Sequence, residues 1–246
     1  GLAAQYLGIR SIFVFSFFIA AATVFLAIGI KDIPRQGPGG KAASKNTRRQ
    51  ALKELVPLFR NRDLMVFSLL MILSNILCFS APILFTAVAA KDLGGSSLDL
   101  GLLNMVFYLT AGLTSLFVGT GAYKKMGGIN ALAISFLVAA AACVPFFYHI
   151  NLTVLYFMQA LSGIGIGVTG SALAGMVIRA VRPDQRATAT GIFQSLFGIG
   201  IFAGPVLVGY ITKAISFDAA YWTLFFIGVA SAVLCYAAIP KKYGRM

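Results

Sequence analysis

Charge is scarce in this sequence, and acid is scarcest. Only 11% of the 246 residues are charged, with 7 acidic residues against 20 basic ones. Soluble globular domains carry about 25% charged and about 45–50% apolar residues. Here 59% are apolar, and mean hydropathy is +0.88. A water-soluble domain of this size has no interior able to hide so much apolar side chain. There is a single His, and no cluster of His, Asp and Glu lies within the apolar runs. That excludes the nucleophile–base pairs and ligand sets of an intramembrane enzyme, and no metal or other cofactor is expected. Cysteine is also sparse. Cys78, Cys143 and Cys235 each sit inside an apolar run, without metal-ligand spacing or a loop partner for a disulfide, and read as small packing residues. No secretory leader is expected in this stretch either: Gly1-Leu2-Ala3-Ala4-Gln5 has no basic stretch ahead of an apolar one. The chain is therefore expected to be a piece of a longer protein.

What the sequence does have is long apolar runs. A spanning helix needs about 20 mostly apolar residues, and seven segments qualify: 11–30, 64–90, 100–122, 129–148, 153–178, 189–213 and 219–239. None carries Asp, Glu, Lys or Arg in its central part. Barrel strands are about ten residues long and alternate in polarity, so the expected fold is an all-α membrane protein with seven transmembrane helices. Seven spans make the loops alternate in side, and the cations divide accordingly. One side takes 17 of the 20, among them Lys31, Arg60, Lys124, Lys125, Arg179, Arg186, Lys241 and Lys242. The other takes Arg10, Lys91 and Lys213. Positive loops stay in the cytoplasm, so the 31–63 loop and the C-terminus are expected there. The same split accounts for the net charge of +13 without a nucleic-acid partner.

The 31–63 loop has two parts. Residues 34–40 are rich in Pro and Gly and read as a linker. Residues 47–56 suit a short helix with Leu52, Leu55, Val56 and Phe59 on one side, its cations meeting membrane lipid headgroups. The alternative is a solvated tether.

Three stretches carry a resemblance. Leu58-Phe59-Arg60-Asn61-Arg62-Asp63-Leu64 is similar to the entry into the seventh helix of Major Facilitator Superfamily transporters. Arg182-Pro183-Asp184-Gln185-Arg186-Ala187-Thr188-Ala189-Thr190-Gly191 resembles their loop between helices ten and eleven. Gly198-Ile199-Gly200 with Gly204-Pro205 and Gly209 resembles their helix eleven. The resemblance covers essentially the whole chain. It implies that residues 1–30 end the N-terminal bundle with the sixth helix and that 31–63 form the cytoplasmic inter-bundle loop. Residues 64–246 would then form the C-terminal six-helix bundle, with about five helices missing upstream. An internal echo agrees with the parallel repeats of such transporters: shifted by 208 residues, Phe17-Phe18-Ile19 meet Phe225-Phe226-Ile227. Two departures stand out. The family's acidic loop motif has a counterpart at residues 119–128, but its Asp is absent and its second Gly is out of register. The acidic signature of sugar porters is also missing around residues 31–64.

Gly165-Ile166-Gly167-Val168-Thr169-Gly170 spells G-x-G-x-x-G. A dinucleotide site needs a strand before that turn, and here the motif lies inside an apolar helix. Gly163, Gly167, Gly170 and Gly175 instead form a groove for close helix approach, as do Gly200, Gly204 and Gly209. Polar side chains within the spans are the functional candidates, because a desolvated amide needs a partner or a wet cavity. They are Asn75, Asn104, Tyr108, Gln159 and Gln194, with Phe79 and Phe197 sharing helix faces with Asn75 and Gln194. The resemblance implies that helices seven and ten line a central cavity, with eight and eleven flanking it, so these seven residues are the expected substrate-binding set. The alternative for each amide is a hydrogen bond between helices. His149 and the sequon at Asn151 are assigned no role. Asp63 and Asp99 lie at helix ends, so a proton-coupling carboxylate is expected in the missing half. The resulting expectation is a secondary active transporter of the bacterial cytoplasmic membrane, working by alternating access. It would be an antiporter carrying out proton-coupled efflux of a small, fairly apolar molecule. An uptake permease of the same fold, or a non-transporting receptor or scaffold, are the alternatives.

Overall fold

The computed structural model describes residues 9–28, 55–80, 86–144 and 150–244. They fall in two compact units, Gly1–Val56 and Pro57–Met246. In the first, helix α1 (Ile9–Ile28) coincides with the expected span 11–30, and Phe17, Phe18 and Phe25 are exposed on it. The expected linker at 34–40 and most of the expected helix at 47–56 lie outside the described residues. Residues 55–59 are helical.

The second unit is helical throughout, with no strand among the described residues. It runs α2 (Arg62–Ser80), α3 (Thr86–Asp92), α4 (Ser97–Phe117), α5 (Gly121–Met126), α6 (Gly128–Ala141), α7 (Leu152–Ala180), α8 (Arg186–Ala214) and α9 (Phe217–Ala238), and 3-10 turns at Pro183–Gln185 and Lys241–Tyr243 complete it. Helices α2, α4, α7, α8 and α9 are long and apolar enough to cross a membrane. The chain is an all-α integral membrane protein. The expected span 64–90 is helical as α2 and α3, and residues 81–85 between them lie outside the described set. The expected span 129–148 is helical as α6 over 14 residues. The span expected over 100–122 stops earlier, at Phe117. There Thr120 starts a new helix, its hydroxyl accepting from the Tyr123 amide at 3.5 Å, which apolarity alone does not reveal.

Short polar residues at the helix starts satisfy amides that a helix leaves free. Ser96 and Asp99 form a reciprocal capping box on α4, and Ser216 caps α9 by accepting from the Ala219 amide at 3.1 Å. Asn151 caps α7 through its Oδ1, 2.9 Å from the Val154 amide. Asn61 does two things at once. Its Oδ1 accepts from the Leu64 amide at 3.2 Å, and its Nδ2 donates to the Ala180 carbonyl at 3.1 Å, tying the start of α2 to the end of α7.

Helices α2 and α7 are the centre of the bundle. α4 packs chiefly on α7, α8 on α2, and α6 joins α7 to α9. The best 18-residue window of α7 is 61% buried, against 28% in α8 and 11% in α4. The broad faces of α4 and α8 are therefore left open in this chain. The G-x-G-x-x-G stretch sits in the middle of α7, as expected, and with Gly163 it makes two different close contacts. A Cβ on Gly163 or Gly167 would collide with α4 at Thr110 or Thr114, whereas one on Gly165 would lie 2.6 Å from the Ala139 Cβ of α6. Gly170 and Gly175, expected in the same groove, have room for a Cβ, and so does Gly209. Gly200 and Gly204 do seat α8 against α2, at Ile72 and Ile76.

Candidate functional site

A cleft of about 360 Å³ opens along the seam of α4 and α7 beside the end of α2. Its walls are Phe79 of α2, Phe107, Tyr108, Ala111, Gly112 and Ser115 of α4, and Ile166, Gly167, Gly170 and Ser171 of α7. The three rings form an aromatic corner. Phe79 meets Phe107 edge-on with centroids 6.0 Å apart, and Phe107 meets Tyr108 likewise at 5.1 Å. Phe107 is buried and holds the corner, while Tyr108 is 57% exposed and presents its phenol to the opening. At the far end the Ser115 and Ser171 hydroxyls hydrogen-bond across the seam. Among the described residues no Asp, Glu, Lys, Arg or His lines the cleft. Such a lining favours an uncharged or weakly polar molecule, held by ring faces and a few hydroxyls.

Of the seven residues expected from sequence, Phe79 and Tyr108 line this cleft. Asn75 is fully buried and turns instead toward α8, where its Nδ2 donates to the Phe197 carbonyl at 3.2 Å. The structure thus joins Asn75 and Phe197, but by the backbone of the latter. The Asn75 Oδ1 is buried without a hydrogen-bond partner among the described residues. Gln159 is buried in α7 at 2% exposure. Asn104 is exposed and bonds back to the Leu100 carbonyl of its own helix at 2.9 Å, and Gln194 is exposed on α8. Asn75 and Phe79 are one helical turn apart, yet one reaches α8 and the other α4.

The sequence reading missed the hydroxyls. Ser74 and Thr169 bond at 2.7 Å across the α2/α7 contact, and Ser115 with Ser171 does the same between α4 and α7. Together with Asn75 they put a polar crossbar inside each of these three helix contacts, and the Tyr156 hydroxyl adds another between α7 and α4 by donating to Asp99 Oδ1 at 3.2 Å. Little in the sequence marks them, because Ser and Thr in apolar helices usually bond their own backbone, as Thr110, Thr223 and Ser231 do here. The one available signal is spacing, since Ser171 follows Gly167 by four residues and Ser115 follows Ala111 by four.

One end of the bundle is basic. The Asn61 bond to Ala180 and an ion pair between Asp63 and Lys242 gather the start of α2 with the ends of α7 and α9. Arg60, Arg62, Arg179, Arg182, Lys241 and Lys242 lie at this end.

A bundle of membrane-length helices with an uncharged cleft between them and one basic end is the architecture of a solute carrier. The model of the Major Facilitator Superfamily matches this chain over residues 1–148 and again over residues 74–245, and the chain belongs to that superfamily of transporters. Among curated relatives, the quinolone resistance protein NorA of Staphylococcus aureus is 26% identical over 157 residues, which are 63% of this chain and 40% of NorA. An uncharacterised MFS-type transporter of Mycobacterium tuberculosis is 26% identical over 90 residues, 37% of this chain and 13% of that protein. The chain thus spans well under half the length of the relatives it matches.

Proposed function

We propose that the full-length protein is a secondary active transporter of the bacterial cytoplasmic membrane, exporting a small, largely apolar compound by alternating access in exchange for protons. The observation that carries this reading is the uncharged aromatic cleft in a member of a transporter superfamily. A volume of about 360 Å³ falls within the roughly 300–1,000 Å³ of drug-sized sites. Phe79 and Tyr108 are the cargo contacts in this reading, with Phe107 behind them. Asn75 holds α2 to α8 through the Phe197 carbonyl, Gln159 is buried within α7, and the exposed Asn104 and Gln194 are assigned in this reading to the surface that meets the opposing half. That half is the upstream bundle, which supplies the second wall and the coupling carboxylate. The quinolone resistance for which NorA is named makes a quinolone the first cargo to try.

The test uses inside-out vesicles carrying the full-length protein and a fluorescent quinolone. An acid-inside gradient should drive saturable uptake that a protonophore abolishes. Saturable uptake indifferent to the gradient would replace proton exchange by facilitated diffusion, and the absence of saturable uptake would overturn quinolone export. Orientation is checked separately. An impermeant thiol reagent applied to whole cells should label Lys91→Cys and spare Lys241→Cys, because the basic end belongs in the cytoplasm.

A further inference from the structure

Below the cleft, the same α4–α7 seam holds a second, smaller cavity of about 80 Å³. Ser171 lines both, so its hydrogen bond with Ser115 is the partition between them. The smaller cavity lies at the basic end of the bundle, and Tyr123, Lys124 and Arg179 supply its polar wall. We propose that it is a binding site for a phosphate group, carried by an anionic phospholipid or free in solution.

Four features of the cavity carry the assignment. Lys124 comes from α5 and Arg179 from α7, so two separate elements bring like charges to one hollow. Neither is in an ion pair among the described residues, where Arg182 pairs with Asp184 and Lys242 with Asp63. No acid among the described residues lines the cavity. Each cation sits in the last turn of its helix, where it offsets the carbonyl end. That accounts for a charge on each helix; both side chains are exposed, so water softens their mutual repulsion, and an anion in the hollow between them would meet both at once.

Chemistry and size agree. The guanidinium fork of Arg179 suits two phosphate oxygens, and Lys124 adds a point charge. Tyr123 is 6% exposed. Burial pushes its phenol above the ordinary value, against the pull of Arg179, so it remains a neutral O–H donor at physiological pH. Val118 and the buried side chains of Ala172 and Met176 supply apolar wall. At about 30 Å³ per water, the cavity holds a few waters or one phosphate group, and it is far too small for a drug-sized cargo. Basic hollows between transmembrane helices at a cytoplasmic face are recurrent headgroup sites.

The test compares the purified full-length protein in nanodiscs of phosphatidylcholine alone with nanodiscs containing phosphatidylglycerol, and separately adds inorganic phosphate to the phosphatidylcholine sample. Native mass spectrometry should retain phosphatidylglycerol on the wild type and lose at least fivefold of it in Lys124→Gln/Arg179→Gln. A control change at the opposite end, Lys91→Gln, should lose none. A thermal shift with inorganic phosphate, removed by the same double change, would identify the free ion as a ligand too, and its absence would assign the site to lipid. If the double variant folds poorly, Lys124→Arg/Arg179→Lys keeps both charges and should retain the lipid. Full retention in the charge-removed variant, or equal loss in Lys91→Gln, overturns the assignment.

Discussion

The Asp63 carboxylate accepts from Lys242 Nζ at 2.7 Å and from the Tyr243 hydroxyl at 2.9 Å, joining the first turn of α2 to the chain's last turn 180 residues later. The Tyr243 ring then meets Phe67 edge-on at 5.1 Å. Gly127 completes the seat. It has φ +85°, and a Cβ there would lie 2.7 Å from the Gly244 carbonyl oxygen. Gly127 belongs to the very loop that lacks the family's acid. An acid–base contact is nonetheless present at this end, supplied by α2 and the tail.

Removing this contact should destabilise the bundle in a defined order. Tyr243→Phe loses one hydrogen bond to a charged group that is largely shielded, at a cost of about 1 kcal/mol or more. Asp63→Ala loses both partners and should cost more. Lys242→Gln removes an ammonium whose side chain is 64% exposed and should change little. Chemical denaturation of the three variants in one detergent gives the ranking. A larger loss for Lys242→Gln than for Tyr243→Phe would contradict it.

The same contact has a pH sign. The hydrogen bond to Asp63, then that with Tyr243, holds the Lys242 ammonium above the ordinary 10.5. Burial, then the hydrogen bond to Asp63, holds the Tyr243 phenol above the ordinary 10.0. Docking therefore favours both protonated forms. Their contribution is complete below the undocked values and disappears as pH rises through the docked ones. A nitroxide at Lys241→Cys should stay immobile up to about pH 10 and become mobile above that range. In Asp63→Asn the release should begin at lower pH.

Glycine substitutions two residues apart should act with opposite signs. A Cβ on Gly200 would lie 2.6 Å from the Ile72 carbonyl oxygen and 2.8 Å from the Asn75 Cβ, whereas one on Gly198 meets nothing within 4 Å. Gly200→Ala should cost about 1–3 kcal/mol through overpacking. Gly198→Ala should gain about 0.5–1 kcal/mol from the stiffer backbone. Thermal unfolding of the purified single variants reads both.

How far the sequence could be read depended on the length scale of the signal. Apolar runs mark helices because the bilayer leaves no other way to satisfy the backbone, so the helices start within a few residues of the expected positions, while α2, α4 and α6 end earlier than expected, at Ser80, Phe117 and Ala141. The break at Thr120 escaped notice because one hydroxyl decides it. The glycine stripe of α7 was half legible: periodicity puts Gly163 and Gly167 on one face, but only the neighbours tell that Gly165 faces α6 and Gly175 nothing. The amides were found because burying one is costly, yet cost alone does not name the partner. Asn75 looks the same in sequence whether it meets a cargo or the Phe197 carbonyl.

Those two roles separate in a paired measurement. Asn75 spends its one donor contact on α8, so Asn75→Ala should lower stability by about 0.6 kcal/mol, the typical worth of a hydrogen bond between membrane helices. Its buried Oδ1 disappears with it, which keeps the loss small. Apparent cargo affinity should be unchanged. Tyr108 has the reverse profile: it is exposed at the cleft, and among the described residues it makes no hydrogen bond to another helix. Tyr108→Ala should leave unfolding unchanged and weaken apparent affinity about tenfold, equivalent to about 1.4 kcal/mol of ring contact. Both quantities are measured on the same purified full-length variants, by unfolding and by quinolone binding. An affinity loss at Asn75 with stability intact would move the cargo from the α4–α7 seam to the α2–α8 contact.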